Sequence, residues 1–528
     1  MKPSSLTLAV AALCVVYAAG SVLDVMEVDA AQYAAIAQHM AHGGDLLHLH
    51  FRGADYLDKP PLLFWASALS FKLFGVHNWS YKLPSILAAL FAIFGTYRLA
   101  RLYHGEMVGR RAGLMLGSSF AMVLMVNDVR CDTLLMASVI TAIWLGAEYL
   151  EDRRWSYLVG ASVAVGAGML AKGPMGLMAP LLALGGHVAL KHRWALLRDL
   201  RLLLVPVIVG LILLPMCIGL YAQFGWNGLR FYFWEQSFGR LTGENVWKDG
   251  SGPFFFTHEL LWQVLPWTLF ALGGLWMELK VLVGRSRSVR PEWIAISGAV
   301  LVFLALSLSQ FKLPHYLYVV HPLFCILAAK ALPDLASRGW QLVQAGLMVV
   351  LYGLGAALML WSFPDAWWTL AAVAVAVGIV VVTWRAAAQE RLFTGSFCTM
   401  IGLALMLNLH FYPNLLPYQA SAEAGRWLVA QQVTSDRFIA LHIGGTALDH
   451  YAGFPVRYAS NAVQVQNSLV QGAVVYTNDQ GRKELLDLGL RPLQEKHLVD
   501  FRVQLLTLAF LDPSRRGGQL ESRYLLIF

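Results

Sequence analysis

The chain has 528 residues, of which 58% are hydrophobic and only 14% charged. So few charges cannot coat a water-soluble protein of this size, and intrinsic disorder needs the opposite balance. The net charge of +8 gathers in short loops between apolar runs, a pattern of membrane orientation that argues against a nucleic-acid partner; what remains is a multi-spanning membrane protein.

A helix crosses a bilayer with ~20 mostly apolar residues. About thirteen such runs follow one another, near 5–23, 82–102, 109–126, 133–150, 156–170, 174–190, 202–222, 259–279, 292–309, 315–332, 342–362, 366–384 and 393–411. The first lacks a small-x-small cleavage pattern after Gly20-Ser21-Val22 and reads as an anchored helix. Cys14, Cys131, Cys217, Cys325 and Cys398 lie in or at the edge of these runs without metal-ligand spacing, as small packing residues. Alternate loops carry Arg98, Arg101, Arg110 and Arg111, then Arg153 and Arg154, then Lys191 to Arg201, then Lys280 to Arg290. The positive-inside rule assigns these loops and the N-terminus to the cytoplasm. An odd number of spans then places the segment after about residue 412 on the outer side.

The opposite loops differ. Two are long, 24–81 and 223–258, and three are short and ionisable: Asn127 to Asp132, Ala171 to Pro174, and Gln310 to Pro314. Charges at membrane depth are costly and face a cavity or a partner. In the first long loop, Tyr33, Ile36, Ala37 and Met40 have the spacing of an amphipathic interfacial helix, with Asp29 at its start. Asp29 reads either as an N-cap or as a functional carboxylate. Next comes Tyr56-Leu57-Asp58-Lys59-Pro60-Pro61. Pro60 keeps Lys59 extended, before a helix of about 61–74, where its ammonium can meet an anionic headgroup or snorkel to lipid phosphate.

Asp132 precedes the fourth run beside Arg130, as a salt bridge, a cap or a site carboxylate. Lys172-Gly173-Pro174 joins two runs with almost no linker, and Lys312-Leu313-Pro314-His315-Tyr316 repeats a cation followed by proline and a helix start. The second long loop is aromatic and carries Arg240, whose fork can hold a phosphate with two parallel hydrogen bonds, and His258. From about 420 the composition changes. Phe438 to His442, Ala473 to Thr477 and Tyr524 to Phe528 read as strands, Lys483 to Leu488 as a helix, and Ile443-Gly444-Gly445-Thr446 as a turn. The fold class expected is therefore an all-α polytopic membrane domain, 1–411, followed by an outer α/β domain, 412–528. No P-loop pattern is present, so an ATP-driven reaction is not indicated.

Taken in order, Asp29 with Tyr33, Tyr56 to Pro61, Asp132, Ala171 to Pro174 and Lys312 to Tyr316 resemble the membrane glycosyltransferases of the GT-C class, in the family of lipid A aminoarabinose transferases and protein O-mannosyltransferases. The bacterial lipid A branch is the more similar, through Lys-Pro-Pro, Lys-Leu-Pro and the terminal soluble domain. The resemblance implies an inner-membrane enzyme with its domain in the periplasm. It would move a sugar, with inversion, from undecaprenyl phosphate to lipid A or another periplasmic acceptor. It implies Asp29 and Asp132 as the catalytic carboxylates, and Lys59, Arg240, Tyr316 and Tyr56 at the donor phosphate. Asp58, Tyr33, Lys172 and Lys312 would support them. No cofactor is required; a divalent metal is compatible with the scheme, with Asp29, Asp132 and His258 as candidate ligands. Two positions depart from the lipid A branch: Asp-Ala-Ala-Gln-Tyr replaces Asp-Glu-x-Arg-Tyr, and Asp58 stands where Glu is common. A transporter would show internal repeats and mid-membrane charges, and a lipid-linked polymerase or ligase would carry its dominant outer loop later in the chain.

Overall fold

A computed structural model describes residues 3–236, 239, 250–284, 291–387 and 390–528. The apolar runs fold as helices: α1 Pro3–Ser21, α2 Asp29–Ala41, α3 Leu62–Phe74, α4 Asn78–Gly117, α5 Phe120–Asn127, α6 Cys131–Asp152, α7 Trp155–Lys172, α8 Met175–Leu190 and α9 Leu204–Phe224. They continue as α10 Phe255–Gln263, α11 Thr268–Val283, α12 Ile294–Ser307, α13 His321–Ala331, α14 Arg338–Ser362, α15 Ala366–Arg385 and α16 Arg391–Met406. Among the described residues, seven helices are long and apolar enough to cross a membrane by length and composition.

Two predicted boundaries shift. The second run and the first part of the third belong to one helix, α4, interrupted at Gly105, where φ is +82°, and the rest of the third is α5. Glycine takes that conformation without a side-chain penalty. The two halves fold back on each other: a Cβ at Gly109 would meet the Tyr97 carbonyl at 2.8 Å, and one at Gly113 the Ile93 carbonyl at 3.0 Å. Small residues let helix backbones approach in this way. The eighth run is two helices, α10 and α11, parted before Thr268 at Pro266, which has no N–H to continue the ladder. At the basic end of the bundle the breaks are tied by polar contacts: the His104 ring lies 2.9 Å from Glu292, and Lys330 pairs with Glu278 at 3.1 Å.

The first long loop is not an interfacial strip. Ala30, Ala31, Tyr33, Ala34, Ile36, Ala37 and Met40 of α2 are all buried, so the helix is wedged between α3 and the C-terminal region. A two-residue hairpin follows it, β1 His50–Phe51 with β2 Ala54–Asp55.

After α17 Ala420–Ala430 the chain forms a mixed five-stranded sheet of order β4-β3-β5-β7-β6. The strands are β3 Phe438–Leu441, β4 Arg457–Ala459, β5 Val474–Asn478, β6 Gln494–Asp500 and β7 Glu521–Ile527. β3 pairs parallel to β4 and β5, and β7 lies antiparallel between β5 and β6. The helices α18 Ala447–Ala452, α19 Ala462–Ser468 and α20 Asp479–Asp487 connect them. Phe438, Ala440, Val474 and Tyr476 face α17 and α18, while Ile439, Leu441, Val475 and Leu526 face α19 and α20. Those alternating faces bury apolar side chains on both sides of the sheet.

The sheet docks on the first loop through specific joints. The Glu27 carboxylate accepts the backbone N–H of Thr446 at 3.1 Å and of Ala447 at 2.9 Å. Burial pushes the Glu27 carboxyl upward, against the lowering effect of those two amides. Arg52, in the hairpin turn, forks onto Asp449 at 2.8 Å and lies 4.1 Å from the centre of the Tyr458 ring. The His450 ring is 2.9 Å from the Gln38 amide oxygen, which fixes α18 on α2.

Candidate active site

At one end of the bundle the start of α6 meets the turn between α7 and α8. Asp132 opens α6 with its side chain almost fully buried, and the Lys172 ammonium donates to it at 2.5 Å. The turn that presents Lys172 is tight for two reasons. Gly173 has φ +71°. Beyond it, a Cβ on Gly176 would lie 2.2 Å from the Gly168 carbonyl carbon, so α7 and α8 cross backbone to backbone. Tyr316 completes the corner: its ring centre is 3.9 Å from the Lys172 ammonium, and His315 lies 3.8 Å from Asp132. A cation over an aromatic face is held electrostatically without losing its charge.

Lys59 approaches from the first loop and donates to Asp58 at 2.6 Å. The Gln236 side chain in turn donates to the Asp58 carbonyl. Lys59, Asp132, Lys172, Gln236 and Tyr316 line one cavity of about 280 Å³. Most of its remaining wall is apolar, from Leu135, Met175, Leu177, Met178, Leu181 and Leu306. A charged head thus caps an oily channel. Tyr56 stands behind Lys59 with its hydroxyl buried and without a hydrogen-bond partner among the described residues. Tyr33 and Tyr56 both set an edge against Phe64, at 5.6 and 5.8 Å. Burial above all, with the nearby acids, pushes both phenols well above the ordinary range, so each remains a neutral O–H donor.

Asp29 is placed differently from the N-cap reading. Val28 precedes the helix and Asp29 is its first residue, with its carboxylate on Arg130. Arg130 also donates to Asp128 at 2.9 Å. Burial opposes its charge, yet Asp128 and Asp29 outweigh that and hold the guanidinium protonated. Of the readings left open for Asp132, its salt bridge forms with Lys172, while Arg130 pairs with Asp29 and Asp128. Asp29 and Arg130 face a second, polar cavity of about 480 Å³, between the first loop and the C-terminal sheet. The segment Asp128 to Asp132 parts the two cavities: Arg130 lines the polar one and Asp132 the apolar one. Lys59 and Asp132 thus share a cavity, while Asp29 faces its neighbour.

Lys312 stands apart from both cavities. It is buried, with its ammonium 3.2 Å from the Ser251 carbonyl, and anchors the second long loop. Arg240 lies outside the described residues. The metal-ligand set Asp29, Asp132 and His258 does not assemble: the His258 side chain is largely exposed, 3.5 Å from Glu259. Among the described residues no three His, Cys, Asp or Glu side chains are grouped to hold a metal. Sequence reasoning passed over Gln236 and the docking role of Glu27. Gln236 carried no signal, whereas Glu27, an acid beside Asp29 at the mouth of a span, did.

The model of the family described as dolichyl-phosphate-mannose-protein mannosyltransferase matches residues 58–218. The undecaprenyl phosphate-alpha-4-amino-4-deoxy-L-arabinose arabinosyl transferase of Edwardsiella ictaluri is 28% identical over 346 residues, 64% of this chain and 61% of that protein. The enzyme of the same name from Pseudomonas paraeruginosa is 27% identical over 438 residues, 79% of this chain and 74% of its own length. In fold, the chain is similar to ArnT from Cupriavidus metallidurans bound to undecaprenyl phosphate, with a TM-score of 0.78 and 20% identity over 99% of this chain and 98% of that one. By sequence the chain is similar to these arabinosyl transferases and to the mannosyltransferase family model, and by fold it is similar to ArnT.

Proposed function

We propose that the chain transfers a sugar from undecaprenyl phosphate to a periplasmic acceptor, with lipid A the acceptor and 4-amino-4-deoxy-L-arabinose or a related sugar the cargo. The observation that carries this reading is the cavity in which Lys59, Lys172 and Tyr316 cap an apolar channel. That is the shape and charge of a polyprenyl phosphate, oily along its tail and anionic at its head. The names of the sequence relatives support the same donor.

The reaction is a direct displacement with inversion. The bond between the anomeric carbon and the carrier phosphate breaks as an acceptor oxygen bonds to that carbon from the opposite face. Lys59 stabilises the charge growing on the departing phosphate, aided by the Tyr56 hydroxyl and by Arg240. Asp132, held by Lys172, supports the cationic sugar. Asp29 orients the acceptor, and takes its proton when that acceptor is a hydroxyl. The residues need no metal for these steps.

In the bilayer the helices form thirteen spans, with the N-terminus in the cytoplasm and the sheet domain of 412–528 in the periplasm. The alternation of basic loops supports this orientation. A second acceptor class, protein hydroxyls, is favoured by the family-model match at 58–218. Mass spectrometry of lipid A and envelope glycoproteins, with and without the gene, separates the two. A sugar missing from lipid A alone supports the first reading, one missing from glycoproteins alone the second, and no change in either rejects both.

A further inference from the structure

The polar cavity beside Asp29 has a charge pattern that the donor chemistry leaves unused. Its wall holds Glu27, Asp29, Arg130, Asp500, Arg502 and Arg523. Five of these six are engaged within the protein. Asp29 pairs with Arg130. Arg523 donates to Asp500 at 2.9 Å and to Glu521 at 2.7 Å. Glu27 is held by the amides of Thr446 and Ala447. Arg502 alone has no carboxylate within 4.0 Å among the described residues, and its side chain is exposed to the cavity.

Its position is nevertheless built. The Phe501 N–H donates to the Tyr418 carbonyl at 2.8 Å, and the Phe501 ring stacks on Phe510 at 3.8 Å. On the other side Val503 is buried in the same apolar cluster. With both neighbours anchored, the backbone holds Arg502 at the wall. A planar fork so placed, with no acid to neutralise it, suits a phosphate oxygen pair. The nearby Asp29–Arg130 pair marks the segment beyond which the donor cavity begins.

We infer that this polar cavity is where the acceptor sits, and that Arg502 of the C-terminal domain binds an anionic phosphate on it. Arg502 is then a specificity residue: it selects acceptors that carry a phosphate in addition to the group that receives the sugar. The inference rests on the glycosyl-transfer reading and adds the chemistry of the second substrate.

The test uses the full-length enzyme, Arg502→Ala and Arg502→Lys, with bisphosphorylated lipid A and its monophosphoryl form. Arg502→Ala is expected to raise KM for the bisphosphorylated acceptor about tenfold, leaving kcat and the donor KM within about twofold, with a smaller penalty on the monophosphoryl acceptor; Arg502→Lys recovers part of the loss. An unchanged KM overturns the inference. So does an equal loss on both acceptors that lysine does not rescue, because that is a packing effect. Direct binding of the two lipids, with inorganic phosphate as competitor, reads the same contact without turnover. A parent enzyme inactive on lipid A defeats the function reading, whereas equal binding by parent and Arg502→Ala defeats this one.

Discussion

The Lys172 ammonium, at the last residue of α7, sits 2.5 Å from the Asp132 carboxylate at the start of α6. Both side chains are mostly buried, so each is the other's main counter-charge. Removing one member of such a pair leaves the other uncompensated and costs about 3 kcal/mol. Lys172→Met is therefore expected to lower the melting temperature and abolish transfer, while the double variant Lys172→Met with Asp132→Leu regains much of the stability but none of the activity. A double-variant cycle of thermal unfolding and turnover checks both halves.

Lys59 differs, because among the described residues its carboxylate partner is the adjacent Asp58 at 2.6 Å, on a part-exposed loop. Lys59→Ala is expected to leave the melting point within a degree or two and to lower kcat by about 10²-fold or more, the scale for losing one preorganised charge at a developing anion. Lys59→Arg recovers only part, since the broader fork does not fit a point-charge seat. Transfer assays with a polyprenyl-phosphate sugar decide it.

Asp29→Asn tests the other carboxylate. Arg130 keeps Asp128 at 2.9 Å, so the fold is expected to survive. Turnover is expected to fall about 10²-fold on a hydroxyl acceptor, where a proton must be removed, and markedly less on a phosphate acceptor that is already ionised. Equal losses on the two acceptors would remove the base role.

How much of this was legible beforehand depended on whether the signal was local. Apolar length gave the helices, and runs such as Phe438 to His442 and Ala473 to Thr477 gave the inner strands, because a buried strand must be apolar along its whole length. The two strands of the C-terminal sheet passed over, Arg457–Ala459 and Gln494–Asp500, are its two edges. Edges are kept short or charged, which hides them from a hydrophobicity reading. In the site, Lys59, Asp132 and Lys172 were visible as polar islets between apolar runs. Their partners were not, since Lys172 and Asp132 are 40 residues apart and meet only when α6, α7 and α8 pack. Lys312 carried the same local motif as Lys172, and only packing separates an anchor on Ser251 from a residue of the cavity.

Packing also predicts a steric failure. Gly176→Ala places a methyl 2.2 Å from the Gly168 carbonyl carbon and 2.3 Å from the Met169 nitrogen, both backbone atoms that cannot yield. The helices must separate, at about 1–3 kcal/mol, and the Lys172 turn moves with them. A lower melting temperature together with reduced kcat is expected; an unchanged melting temperature would contradict the crossing described above.

Protonation of His450 provides a pH readout for the docked domain. Burial lowers its imidazole from 6.5 to about 4, so the folded state prefers the neutral ring. The contribution is fully present above pH 6.5 and is lost as pH falls from there towards 4, by about 3 kcal/mol at about 1.36 kcal/mol per unit. Glu27 and Asp500, whose carboxyls are raised by burial, titrate with the opposite sign on the acid side. Comparing thermal unfolding of the parent with His450→Gln across pH 4 to 7 isolates the imidazole, and the variant is expected to lack that part of the acid sensitivity.

The joints between sheet and first loop also govern how this protein can be recombined. Arg52 reaches Asp449 across 397 residues of sequence, and Glu27 reaches Ala447 across 420. A chimera that imports only the last hundred or so residues from a relative receives one jaw of each clasp and leaves the other behind. The tail of this chain is not a portable cassette: it has to travel with the stretch from Glu27 to Asp55, or it arrives with nothing to grip.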